Sequence, residues 1–183
     1  MAASLLAHGV TRYDAGVRKL VLTVIGDDRA GLVARLAAVI ADHEGNWEHS
    51  QMAELAGKFA GIVVVAVPES RVEDVTAALN ALDGLLDVAA HHGAETAPGG
   101  RTFTIDLLGN DRPGIVREVS SVLLRHSLSI RTMDTSTREA PMAGGQLFEA
   151  HIVVGVAPDA DLRAVQSDLE RLTAELLVDI DIS

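Results

Sequence analysis

Two segments of the chain place the same residue types where a ligand anion could bind. Gly26-Asp27-Asp28-Arg29-Ala30-Gly31-Leu32-Val33 recurs as Gly109-Asn110-Asp111-Arg112-Pro113-Gly114-Ile115-Val116. Each segment follows an apolar run typical of a strand and begins a run whose apolar residues have helical spacing. Because the first N–H groups of a helix lack internal partners and the helix dipole is positive there, each turn is a candidate carboxylate site.

The candidate ligand-binding residues surround these two helix starts. They are Asp28, Arg29, Ala30, Gly31 and Leu32 in the first turn, and Asp111, Arg112, Pro113, Gly114 and Ile115 in the second. Glycine has no side chain, so a ligand can approach the backbone closely. From the residues alone, a structural interpretation is equally consistent: the aspartates would cap the helices and the glycines would permit tight turns.

Asn46 is a further candidate, because an amide side chain can accept a hydrogen bond from an ammonium group and donate one to a carboxylate. It begins a predicted strand, which we expect to lie beside the first turn. The alternative is that Asn46 follows Gly45 because asparagine tolerates left-handed backbone. The second half of the chain has Ser129 at the corresponding position.

No catalytic residue, metal site or cofactor is predicted. The chain has no cysteine, which excludes disulfides, thiol nucleophiles and thiolate metal ligands. His43, Glu44 and His49 do not have the spacing of a helical zinc motif, and the first turn lacks the Lys and Ser or Thr of a phosphate-binding loop. Nothing assembles a nucleophile, a base and an orienting group, so we expect a protein that is not an enzyme.

The charge of the chain limits its partners. The formal net charge is −11, and acidic residues outnumber basic ones in both halves. Binding to nucleic acid or to an anionic membrane depends on Lys and Arg, so neither partner is expected. No apolar run has transmembrane length and the N-terminus lacks the pattern of a signal peptide, which favours a cytoplasmic protein.

The elements that would position the two turns follow the same order in each half. Apolar periodicity and turn residues predict β-α-β-β-α-β twice, which describes an α+β protein of two ferredoxin-like units. Each unit would have an antiparallel four-stranded sheet with both helices on one face. The predicted boundaries are a lead-in over 1–18, unit 1 over 19–93, a linker over 94–100 and unit 2 over 101–183.

One face of each sheet is left without helices in this architecture. In unit 1 the first strand and the run Ile62–Val67 are apolar on both sides, which is typical of strands that are covered on both faces. We therefore expect the two sheets, or two copies of the chain, to pack together, and the protein to be a homo-oligomer.

The motifs and the element order resemble the ACT domain, a small regulatory module that binds amino acids. The resemblance rests on the two duplicated turns, on Asn46 to Ala53 and on Ile130 to Thr135, and it covers about residues 18–183 as a tandem pair. Unit 1 departs from the motif at Ala30, where the family has proline, and unit 2 has Ser129 in place of asparagine.

The resemblance implies a regulatory protein without catalysis that binds a small amino acid, such as glycine or serine, where ACT units meet. Within the family the chain is most similar to tandem ACT proteins that repress transcription. Since the chain is acidic, it would act through another regulatory protein. The alternative is a protein-interaction module that has lost its ligand, for which Ala30 and Ser129 are the relevant departures.

Overall fold

A computed structural model describes residues 16–82, 84–93, 100–140, 144–157, 160–176 and 178–182. The chain divides into two compact units, Met1–Thr96 and Ala97–Ser183. The elements of unit 1 are β1 (Val17–Asp27), α1 (Leu32–Asp42), β2 (Asn46–Leu55), β3 (Lys58–Pro68), a short 3-10 turn (Glu69–Arg71), α2 (Val72–Asn80) and β4 (Asp87–His92).

Alternation along the strands and helical spacing in α1 build the core of unit 1. Buried residues alternate along β1 and β3, so each strand presents one face to the helices. In α1 the buried residues are Leu32, Leu36 and Ile40, which recur every four positions and form one apolar stripe. These two patterns bury a single core dominated by Leu and Val between the sheet and the helices.

The sheet of unit 1 is antiparallel with the strand order β2-β3-β1-β4. The central pair, β1 and β3, is in register from Val17 opposite Pro68 to Asp27 opposite Lys58. The end of β1 therefore lies beside the β2–β3 hairpin, whereas the start of β1 lies beside the end of β3. Helix α1 returns the chain along the sheet, so β2 begins at the end remote from the β1–α1 turn.

Unit 2 repeats this architecture. Its elements are β5 (Thr102–Asn110), α3 (Ile115–Arg125), β6 (Ser129–Glu139), β7 (Gln146–Gly155), α4 (Leu162–Leu176) and β8 (Val178–Ile182). The strand order is β6-β7-β5-β8, which matches that of unit 1 strand for strand. The predicted α+β fold, with two βαββαβ units and antiparallel four-stranded sheets, is therefore confirmed.

The predicted lead-in and linker can be compared with the structure only in part. The lead-in was expected to end at residue 18, but β1 begins at Val17 because Val17 and Arg18 pair with Pro68 and Val67 of β3. Most of the predicted lead-in, residues 1–15, lies outside the described residues. So does the predicted linker except for Gly100, which precedes β5.

Candidate functional site

The β1–α1 turn of unit 1 is shaped by glycine and anchored by the β2–β3 hairpin. Gly31 occupies the N-cap position of α1 with φ 92°, a left-handed conformation that glycine adopts without penalty. No side chain caps this helix and its first turn has no acidic residue, so the structural alternative, in which Asp28 caps the helix, is wrong. Instead the backbone N–H of Asp28 donates to the carbonyl of Gly57 at 2.9 Å.

A groove of about 330 Å³ opens beside this turn. Its lining comes from three connections and one strand end, namely Ile25, Gly26, Asp27, Arg29, Lys58, Gly84, Leu85, Leu86 and Asp87. The backbone is packed closely at its base, because a Cβ on Gly26 would lie 2.5 Å from the carbonyl oxygen of Leu85. The hairpin, the β1–α1 turn and the α2–β4 connection thus meet around one opening.

The groove presents charges of both signs. Lys58 is paired with Asp27, and the hydrogen bond from Lys58 holds the pKa of the Asp27 carboxyl below its ordinary value. Arg29 donates through Nη2 to the carbonyl of Gly84 at 3.4 Å, a long and weak hydrogen bond. The exposed side chain of Asp87 adds a second carboxylate. This arrangement can complement a ligand that carries both a carboxylate and an ammonium group.

Of the predicted site residues of unit 1, only Arg29 lines this groove. Asp28, Ala30 and Gly31 are exposed on the turn itself. Leu32 is 3% exposed and belongs to the core, so its side chain is not available to a ligand. The turn and the groove are neighbours, but they are different surfaces.

Asn46 lies at the opposite end of the sheet, so the expectation that it lies beside the β1–α1 turn is wrong. It pairs with Ala66, which in turn pairs with Lys19 near the start of β1. From Lys19 to Gly26 the strand extends for roughly 23 Å, at about 3.3 Å per residue. The alternative interpretation is wrong too, since Asn46 begins strand β2 without a positive φ, and the left-handed residue is Glu44, two positions earlier, with φ 60°.

The β5–α3 turn of unit 2 has the same backbone but a different side-chain arrangement. Gly114 is the N-cap of α3 with φ 102°, again without a side-chain cap, and the N–H of Asp111 donates to the carbonyl of Gln146 at 2.8 Å. Asp111 therefore does not cap α3 either. Ile115 is 2% exposed and packs in the core, as Leu32 does in unit 1.

An internal ion pair occupies the surface of this second turn. Arg112 donates to both carboxylate oxygens of Glu118, at 2.8 and 3.2 Å, and to the carbonyl of Pro113 at 3.2 Å. The hydrogen bonds from Arg112 lower the pKa of the Glu118 carboxyl. A Cβ on Gly114 would lie 3.2 Å from the same carboxylate, which shows how closely Glu118 covers the helix start. Arg112 is thus engaged within the chain.

Sequence reasoning missed the groove residues Lys58 and Asp87. Lys58 belongs to the hairpin and Asp87 to the start of β4, far from the duplicated turn along the chain. No local pattern marks either residue, because only the antiparallel pairing of β1 with both β3 and β4 brings them to the turn. Only the register of the strands in the sheet could have identified Lys58 and Asp87 as neighbours of the turn.

Among the described residues, no group of three or more His, Asp or Glu side chains could hold a metal ion. None of the helices in the described part of the chain is long and apolar enough to cross a membrane.

Comparison with known proteins agrees with this architecture. The family model of the ACT domain matches residues 18–92. The solved structure of an unknown protein from Galdieria sulphuraria has a TM-score of 0.82 and 30% identity, covering 91% of this chain and 98% of that one. A provisionally assigned glycine cleavage system transcriptional repressor has a TM-score of 0.68 and 16% identity, covering 91% and 96%.

At 16% identity, the similarity to the provisionally assigned repressor shows the fold alone. A UPF0237 protein of Methanopyrus kandleri is 39% identical over 54 residues, which are 30% of this chain and 60% of that relative. The family model covers unit 1, unit 2 repeats its strand order, and the similarity to solved structures extends over nearly the whole chain. The resemblance inferred from the duplicated turns is thereby confirmed: unit 1 matches the ACT domain family, and unit 2 repeats its architecture.

Proposed function

We propose that this chain is a regulatory protein without catalytic activity, which binds a small amino acid of the glycine or serine class in the groove of unit 1. The observation that carries the proposal is the groove itself, which joins the β1–α1 turn to Lys58 and Asp87 and presents both signs of charge. A free amino acid carries both complementary charges.

The recognition chemistry follows from the charged groups. The ligand carboxylate binds Arg29. The long hydrogen bond from Arg29 to the carbonyl of Gly84 is weak, so little stability is lost when a charge-assisted hydrogen bond to the ligand replaces it. The ligand ammonium group binds the carboxylate of Asp87, which also lines the groove. Asp27 contributes less to this recognition, because Lys58 already neutralises it.

The size of the groove favours a small ligand. Its volume of about 330 Å³ is near the lower end of the range for ligand pockets. The close contact between Gly26 and Leu85 leaves no depth at its base, and Leu86 is 1% exposed and points into the core. A ligand with little or no side chain fits such a shallow opening best.

Ligand binding would act by adding contacts between the walls of the groove. The hairpin, the turn and the α2–β4 connection contribute separate walls, so a bound amino acid favours the arrangement in which all three are close. A protein partner that contacts these connections would then distinguish the free form from the bound form. The fold similarity to a provisionally assigned glycine cleavage system transcriptional repressor supports a role in regulating transcription through such a partner.

Asn46 can contribute to such a site only from another ACT unit, since roughly 23 Å of strand separates it from the turn of its own unit. The same holds for Ser129, which begins β6 as Asn46 begins β2. Their contribution is therefore tied to assembly of the protein.

Calorimetry with each proteinogenic amino acid tests the proposal. We expect heat of binding with glycine or serine, and a roughly tenfold to hundredfold loss of affinity in Arg29→Gln, since a charged hydrogen bond contributes about 1.5–3 kcal/mol. Arg112→Gln is the matched control, because Arg112 has the same place in unit 2 but is held by Glu118. Absence of heat with every amino acid would overturn the proposal.

A second candidate function is an interaction module without a ligand. The observation that favours it is the Arg112–Glu118 pair, which engages within the chain the very side chain that a unit 2 ligand would need. Under this function, capture of a partner from a lysate by the immobilised protein is indifferent to added amino acids. Under the first function, capture changes when the cognate amino acid is added.

A further inference from the structure

The face of the unit 1 sheet that points away from the helices is apolar and exposed. We call it the outer face, and on the two central strands it consists of Val21, Thr23, Ile25, Ala60, Ile62 and Val64. These residues alternate with the buried ones, so their side chains point away from the core. Ile25 is 49% exposed and Ile62 is 51% exposed, large values for isoleucine in the middle of a sheet.

Unit 2 shows that the fold itself does not require an apolar outer face. Thr23 pairs with Ile62 in unit 1, and the corresponding pair in unit 2 is Asp106 with His151. The latter two are hydrogen-bonded, with 2.6 Å between His151 Nδ1 and Asp106 Oδ1. Glu149, beside them, is likewise paired with Arg138 at 2.6 Å.

The outer faces of the two units differ in chemistry although the units share one fold. The same scaffold in the same chain meets water with hydrogen-bonded polar side chains in unit 2 and with aliphatic side chains in unit 1. Exposed apolar patches of this kind on a sheet mark interaction sites. The difference between duplicated units therefore points to a covering partner for unit 1.

The shape of the outer face identifies that partner as a second copy of the same face. A shallow groove of about 330 Å³ crosses it, with Ala60, Gly61 and Ala89 among its lining residues and Ile25 and Ile62 beside them. One patch thus carries both the projecting isoleucines and the hollow formed by small residues. A patch that carries both features can be self-complementary, as the two-fold interface of a homodimer requires.

The chemistry of the patch agrees with this occupant. The outer-face residues of the two central strands carry no charge, whereas the edge strands add His49, Gln51 and Ala53 on one side and Asp87, Ala89 and His91 on the other. A nucleic acid or a charged peptide would leave its own charges without partners on the central strands, whereas the same two strands of a second copy would not. Two sheets can pack face to face in this way at a separation of about 10 Å.

The area of the outer face sets the strength of the association. Four strands spaced by about 4.8 Å and paired over about 20 Å give a face of roughly 400 Å² per copy. Both copies together bury roughly 800 Å² in this flat approximation, which is less than the 1,200 Å² or so of a stable standard interface. The association should therefore be weak and dependent on concentration.

We propose that two copies of the chain form a weak reversible dimer through the outer face of unit 1. The ligand groove and the outer face meet at Ile25 and Asp87, but Ile62 does not line the ligand groove, so a change at Ile62 tests the dimer separately from amino-acid binding. Sedimentation velocity over a series of protein concentrations tests it first. The wild type should shift from monomer to dimer as the concentration rises into the high micromolar range.

Matched variants locate the interface. Ile62→Glu puts a charge at the centre of the outer face and should leave the protein monomeric at every concentration. Leu108→Glu is the control, because Leu108 is 38% exposed on the corresponding face of unit 2, and it should dimerise as the wild type does. Circular dichroism verifies that both variants fold.

A cross-linking experiment keeps the test independent of the folding of Ile62→Glu. The chain has no cysteine, so Thr23→Cys introduces a single thiol at the centre of the outer face. A short bis-maleimide should join two copies of this variant, and should join Asp106→Cys, its counterpart in unit 2, far less. A monomeric wild type at all concentrations, equal cross-linking of both variants, or an unchanged dimer in Ile62→Glu would each overturn the proposal.

Discussion

Replacement of Gly31 by alanine should destabilise unit 1 without any steric clash. Gly31 has φ 92° and ψ 2°, and a Cβ built on it meets no atom within 4 Å. The cost is therefore conformational alone, and an L residue in left-handed backbone costs about 1–2 kcal/mol. For a unit of this size, each kcal/mol lowers Tm by roughly 4–8 °C.

Differential scanning calorimetry of Gly31→Ala measures this loss, and Gly31→Asn is the matched control. Asparagine adopts left-handed backbone more readily than alanine, so its substitution should cost clearly less although its side chain is larger. A Tm that does not fall in Gly31→Ala would refute the reasoning. So would an equal loss in both variants, because it would mean that the loss does not come from the backbone conformation of residue 31.

Two other perturbations test separately how a buried apolar side chain and a paired carboxylate contribute to stability. Leu36→Ala removes a side chain that is 0% exposed and should cost about 2–5 kcal/mol in a urea titration, whereas Leu124→Ala, at 77% exposure, should change stability by less than about 0.5 kcal/mol. The hydrogen bond from His126 lowers the pKa of Asp168 from its ordinary value of 3.8, so the stabilising contribution of Asp168 is complete above that value and is lost as the pH falls through the lower folded-state pKa. The stability difference between wild type and Asp168→Asn should shrink as the pH falls below 3.8, and a difference that persists unchanged at pH 2 would contradict this assignment.

Local sequence patterns determined the elements and their order. The alternation of apolar residues in β1 and β3, and the recurrence of Leu32, Leu36 and Ile40, are properties of short segments that follow from strand and helix periodicity. The duplicated turn likewise predicted two equivalent units, because Gly31 and Gly114 each permit the same left-handed step into a helix. The same βαββαβ order could therefore be predicted independently from each half of the chain.

The candidate site was only partly accessible to the same reasoning. Arg29 belongs to the duplicated turn and could be identified from it, whereas Lys58 and Asp87 reach the groove through strand register. The placement of Asn46 was wrong for a related reason. The start of a strand was correctly predicted, but the end of the sheet at which it lies depends on the direction in which α1 returns the chain.

Side-chain pairing decided the difference between the two turns and the two sheet faces. The motif places an arginine in both turns, yet Arg112 is paired with Glu118 in the first turn of α3, while the first turn of α1 has no acidic residue. Apolar residues on both sides of β1 and β3 predicted a cover for the unit 1 sheet, and only the register revealed Ile62 in the place that His151 takes in unit 2. Periodicity is a property of neighbours along the chain. A site consists of residues that strand pairing and helix direction bring together, and only the tertiary structure decides that pairing and that direction.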